Sequence, residues 1–165
     1  MKRVLVVDDF RANVIMIQRA LSGKYEVSTA TSGKEALQKI KGIKPDLVIL
    51  DIQMPEMNGI EVLESMITDP IMKDIPVVFL TGQADREKVT KGYQLGIKDI
   101  ISKPIIMATV ETRIDRVFEN LENERVKKSN LDKAENIFQF ETSNNAFAEL
   151  FDDNFWLTDD WKDLI

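Results

Sequence analysis

Cysteine and histidine are both absent from this chain of 165 residues. Without thiols there is no disulfide, no thiol nucleophile and no zinc-thiolate site, which fits a reducing compartment. Without imidazole there is no Ser-His-Asp chemistry, no imidazole acid–base catalysis and no histidine of its own to carry phosphate. A metal would have to be held by oxygen, and that favours magnesium or calcium over softer ions. Long apolar runs are missing too. No stretch approaches the roughly 20 residues of a spanning helix, and the apolar run in MKRVLVVDDF is too short for a signal peptide. The expectation is a cytoplasmic protein with no membrane insertion.

Positive charge is scarce in one place. The net charge is −6, and residues 141–165 carry seven acids against Lys162 alone, so residues 1–140 sum to zero. A neutral body with an acidic tail gives no support to nucleic-acid binding, which needs a basic face to neutralise phosphates. With 44% hydrophobic residues the chain can bury one good core, and one main domain is expected.

Short apolar runs are present, at Val4–Val7, Tyr25–Ala30, Leu47–Leu50, Val77–Leu80 and Ile100–Ile101, and the second is the weaker one. Between them Val14/Ile17/Ala20/Leu21, Ala36/Leu37/Ile40, Ile60/Leu63/Ile67 and Val89/Tyr93 recur at helical spacing. Continuous Val/Ile/Leu runs are the pattern of strands covered on both faces, and strict strand–helix alternation implies right-handed crossovers in a parallel sheet. The expected fold is α/β, a five-stranded, parallel, doubly wound domain.

In such a sheet, ligands bind outside the carboxyl ends of the strands, where the strand order switches. Asp8-Asp9, Asp51, Thr81-Gly82 and Ser102-Lys103-Pro104 all stand at those ends. Three carboxylates packed together repel one another unless a cation sits among them. With a divalent ion present, Asp51 can stay ionised and act as an oxygen nucleophile towards phosphorus, while Lys103 and the ion offset charge on the phosphoryl oxygens. Taken singly, each residue has a plainer role. An aspartate at a strand end is usually a turn former or N-cap, a lone threonine a local cap, a lone lysine a solvated charge. Joint placement at four ends of one sheet overturns that.

Residues 2 to about 120 resemble the receiver domain of two-component response regulators: VLVVDDF, VILDIQMPEMNGIEVL, IPVVFLTG and ISKP stand in that family's order and spacing. The resemblance implies the flavodoxin-like form of the fold. It also implies that Asp51 is the phosphoacceptor, receiving phosphoryl from the phosphohistidine of a sensor histidine kinase or phosphotransfer protein. Asp9, Asp51 and the backbone carbonyl of Gln53 would ligate magnesium, with Asp8 reaching it through water. Thr81 and Lys103 would bind the phosphoryl oxygens and Gly82 would leave space for them. Two departures stand out. Ile100 replaces the Tyr, Phe or His usual three residues before the lysine, so the output switch is expected to differ while the phosphorylation chemistry survives. Gln53 and Gln83 occupy the positions where the family tunes phosphate lifetime.

Other motifs carry less. TSGKEA, residues 31–36, hints at a P-loop, but Ser28 stands where its first glycine belongs and Glu35 follows the lysine. Asp152-Asp153 and Asp159-Asp160 lack the calcium loop's central glycine and closing glutamate. Val110, Ile114, Val117 and Leu121 continue a helical seam, but the same register then meets Glu124, Lys128 and Glu135, which disfavours a long coiled coil. The expected organisation is a receiver at 1–120, a charged helical linker at 121–140 and an acidic aromatic tail at 141–165. The tail holds Phe147, Leu150, Phe151, Phe155, Trp156 and Trp161. It reads either as an unordered end or, at 145–165, as a docking segment for a downstream protein partner. The function expected is a phosphorylation-controlled signalling switch that is not itself an enzyme. The alternatives are the receiver part of a larger regulator with an enzymatic output domain, or a pseudo-receiver scaffold that works without phosphorylation.

Overall fold

The computed structural model describes residues 1–143, with side chains described as far as residue 140. The docking segment expected at 145–165 therefore lies outside the described residues. The chain divides into two units, Met1–Phe118 and Glu119–Ile165.

In the first unit five strands, β1 (Arg3–Val7), β2 (Glu26–Ala30), β3 (Leu47–Asp51), β4 (Val77–Thr81) and β5 (Asp99–Ser102), form one parallel sheet of order β2-β1-β3-β4-β5. Helices α1 (Arg11–Leu21), α2 (Gly33–Ile43), α3 (Gly59–Thr68) and α4 (Arg86–Gln94) connect them, and α5 begins at Met107 and runs to Ser143. This is the flavodoxin-like strand order. Every residue of the central strands β3 and β4 is buried, as expected of strands covered on both faces. The pleat divides them. Leu5, Val7, Val48, Leu50, Val77 and Phe79 join a core with α2 and α3 that includes Ile40, Val62, Leu63 and Met66. Val4, Val6, Leu47, Ile49, Val78 and Leu80 point to the opposite face, where Val14, Ile17 and Leu21 of α1 and Val110, Ile114 and Val117 of α5 are also buried.

Local chemistry sets the helix starts that matter for the site. Asn58 accepts from the Glu61 N–H at 3.0 Å while the Glu61 carboxylate accepts from the Asn58 N–H at 2.9 Å, a complete capping box at α3. Ser32 caps α2 through the Glu35 N–H at 3.1 Å. Gly59 lets the loop after β3 close tightly. Its N–H bonds the Ile52 carbonyl at 2.8 Å, and a Cβ there would collide with the carbonyl oxygen of Asp51.

The strand-order reversal falls between β1 and β3, so Asp8, Asp9 and Asp51 stand at the switch point itself. In the second unit the described residues continue as helix to Ser143, and those at 122–140 are exposed, Val126, Leu131, Ile137 and Phe140 among them. No described helix is long and apolar enough to cross a membrane.

Candidate functional site

Asp51 is the last residue of β3 and Thr81 the last of β4. Both are held inside the ladder, where Asp51 pairs with Leu80 and Thr81 with Ser102. Asp51 therefore does more than cap its strand. It is only 2% exposed, and it stays in register because the Ile52 N–H bonds the Leu80 carbonyl at 3.3 Å. Asp8, just past β1, is fully buried and Asp9 is exposed. One carboxylate oxygen from each of Asp8, Asp9 and Asp51 lies within 4.8 Å of the others.

Lys103 follows β5 directly. Its backbone N–H bonds the Thr81 carbonyl at 2.7 Å, and this brings its Nζ to 2.8 Å from Asp51 and 3.5 Å from Asp8. The side chain is half-buried, where the sequence placed it at an exposed strand end. Asp8 is oriented by its own loop and the first turn of α1, accepting from the Phe10 N–H and from Asn13 Nδ2, both at 2.9 Å.

This charge set is out of balance: among the described residues, two buried acids and one exposed acid face a single ammonium. Burial pushes the Asp51 carboxyl up to about 6, and nearby Asp8 adds to the rise against the pull of Lys103. For Lys103, burial acts downwards, but the Asp51 and Asp8 carboxylates prevail and hold it above its usual value. At neutral pH Asp51 is then mainly ionised, the state a nucleophile needs. The donor set is entirely oxygen, and its surplus negative charge suits a hard divalent cation such as magnesium.

The other sequence-identified positions fall around this edge. Gln53 is exposed in the loop after β3. Gly82 follows Thr81, with open space where a Cβ would stand apart from Asp85 Oδ2 at 3.6 Å. Ile100 is half-buried in β5 against the core, paired with Phe79. Gln83 is exposed. Two members were missed by sequence reasoning. Asn13 holds Asp8, and Asp85, 2% exposed, bonds both Gln53 Nε2 and the Gly82 N–H. An aspartate ahead of the helical stretch REKVTKGYQ reads as an N-cap, so its link to the site left no separate trace in the sequence.

Comparison with known proteins gives a consistent picture. The model of the response regulator receiver domain family matches residues 4–115. A protein named probable cyclic di-GMP phosphodiesterase from Vibrio cholerae is 38% identical over 124 residues, 75% of this chain and 27% of that one. The chain thus spans about a quarter of that relative's length. Chemotaxis protein CheY-3 of Vibrio cholerae is 33% identical over 121 residues, 72% of this chain and 93% of that one. Among solved structures, Vibrio cholerae chemotaxis response regulator CheY4 superposes with a TM-score of 0.66 at 33% identity, covering 71% of this chain and 98% of its own.

Proposed function

The chain belongs to the response regulator receiver domain family, whose members are phosphorylation-controlled signalling switches, and we propose that Asp51 is its phosphoryl acceptor. The observation that supports this reading best is a buried carboxylate at the strand-order switch, 2.8 Å from Lys103 and beside two further aspartates. An oxygen of Asp51 attacks phosphorus and forms the new P–O bond. The bond from phosphorus to the donor breaks, and its electron pair leaves on the donor's nitrogen. That nitrogen belongs to a phosphohistidine on a sensor histidine kinase or phosphotransfer protein, since this chain has no histidine.

Lys103 and the hydroxyl of Thr81 bind the phosphoryl oxygens as charge spreads over them. Asp8, Asp9, Asp51 and the Gln53 carbonyl would hold magnesium, which when bound supplies positive charge to offset acceptor and phosphoryl group together. The receiver takes part in its own phosphotransfer and signals through protein contacts, in the cytoplasm. Its organisation is a receiver at 1–120, a charged helical linker at 121–140 and an acidic aromatic tail at 141–165, of which 145–165 is the docking segment for a downstream partner.

A second reading is the receiver part of a larger regulator with an enzymatic output domain. It is favoured by relatives nearly three times as long, the probable phosphodiesterase and the response regulator PleD of Caulobacter vibrioides. The experiment common to both readings is labelling by acetyl phosphate with magnesium, mapped by mass spectrometry. Label is expected on Asp51, lost in Asp51→Asn and lost with EDTA. An Asp51→Asn protein that labels like the parent sinks the assignment, and a folded parent that takes no label points to a phosphorylation-independent scaffold.

A further inference from the structure

Asp85 is a buried carboxylate that the phosphotransfer chemistry leaves unused. It stands at the N-cap of α4, where an aspartate ordinarily accepts from the first free N–H groups of its helix. Here the side chain makes no such bond. Its Oδ2 accepts from the Gly82 N–H and its Oδ1 from Gln53 Nε2, each at 2.8 Å. Gly82 is one residue past Thr81, and Gln53 is two past Asp51. Asp85 thus occupies two N–H donors on the two loops that flank the acceptor. The carboxylate thus forgoes its own helix for one donor in its own loop and one across from it in the loop of the acceptor, and a broken local rule of this kind is a sign of function.

We propose that Asp85 is a positioning residue that serves as a resting anion, holding the Gly82 N–H and the Gln53 amide until a phosphoryl group on Asp51 competes for them. The inference rests on the reading of Asp51 as acceptor. A phosphoryl group brings oxygens that need donors, and the Gly82 N–H, one residue past the end of β4, is a backbone donor that Asp85 Oδ2 holds at 2.8 Å. That N–H has one hydrogen to give. Bonding a phosphoryl oxygen therefore requires Asp85 to let go, and its carboxylate also adds a negative charge beside an edge that already has three. Removing it frees the donor and lowers the repulsion. Phosphorylation should become faster. Hydrolysis, in which a water oxygen attacks phosphorus and the bond to Asp51 breaks to release inorganic phosphate and the free carboxylate, should become slower.

The test uses the full 165-residue chain with acetyl phosphate and magnesium, where acetate leaves as the Asp51–phosphorus bond forms. Asp85→Asn and Asp85→Ala are expected to label about three- to tenfold faster than the parent, with beryllofluoride binding tightened in the same direction. Amide NMR of the parent should show the Gly82 signal shifting when beryllofluoride is added, as its bond to Asp85 is exchanged. Unchanged or slower labelling in folded variants would mean that Asp85 is only a brace, and overturns the inference while leaving Asp51 as acceptor. If neither variant folds, the Gly82 signal in the parent decides, and a signal that beryllofluoride does not move overturns it. A parent that takes no label on Asp51 removes the acceptor reading and this inference with it.

Discussion

The two ends of the one sheet treat buried charge in opposite ways. At the amino end Asp99, the first residue of β5 and 7% exposed, is met by two arginines, Arg113 and Arg116, each at 3.0 Å. At the carboxyl end Asp8 and Asp51 share Lys103, with Asp9 alongside. One edge is neutralised by its own side chains, and the other is left short of positive charge. A buried charge with full compensation is a structural fixture, whereas one left short is a place for something to bind. The same sheet thus keeps its rigidity at one end and its chemistry at the other.

The contrast can be broken at its most sensitive point by Lys103→Ala. Removing the one ammonium of the acidic edge should slow labelling by acetyl phosphate by roughly 10²–10³-fold, the size typical of losing one preorganised charge stabiliser. Circular dichroism should show the fold retained. Loss of folding would make Lys103 a structural lysine and erase the distinction between the edges. At the balanced end, Asp99→Ala strands two arginines that are partly solvated, so it should cost about 1–3 kcal/mol in urea unfolding and leave the labelling rate within about twofold. A large effect on labelling would mean that the two ends are coupled.

A smaller and opposite effect is expected of Asp51→Asn in metal-free buffer. Removing one of two repelling carboxylates should stabilise the protein by about 1 kcal/mol, discounted for partial solvation of the site. Magnesium should then raise the melting temperature of the parent and not that of the variant. The smallest effect is in pH. The folded value of Asp51, about 6, lies above its ordinary 3.8, so the ionised form is the disfavoured one. The penalty is fully present above about pH 6 and is relieved as pH falls through 6 towards 4. In the metal-free state the stability gap between Asp51→Asn and parent should close across that window, and a gap constant with pH would show that Asp51 is not the group under pressure.

The legibility of the chain follows the same geometry. β1, β3 and β4 could be read closely because strands buried on both faces leave unbroken apolar runs. β2, at the sheet edge and only half-buried, keeps Ser28 and Thr29 in its middle, so its run was faint and began one residue early at Tyr25. β5, the other edge, was legible as Ile100–Ile101, while its ends Asp99 and Ser102 are polar. That Asp8, Asp9, Asp51 and Lys103 meet at one edge, with Thr81 at the end of β4, was legible because strand ends in a parallel sheet converge by topology. Asp85 and Asn13 were not, since their contacts depend on the path of a loop and on which way a capping side chain turns. Ion pairs such as Lys24 with Glu111 and Asp115 were equally hidden, the partners lying about ninety residues apart.

The close approach at Gly59 has a consequence for how this sequence can drift. Position 59 has no room for any side chain against the Asp51 carbonyl, so a library randomised there should return glycine alone among folded clones. Its neighbour Asn58 needs only an acceptor that reaches the Glu61 N–H, so serine, threonine and aspartate should survive beside it. Within two adjacent codons, one is frozen by the backbone of the acceptor and the other is free to exchange among small polar residues. The history of the loop would be written almost entirely in the second.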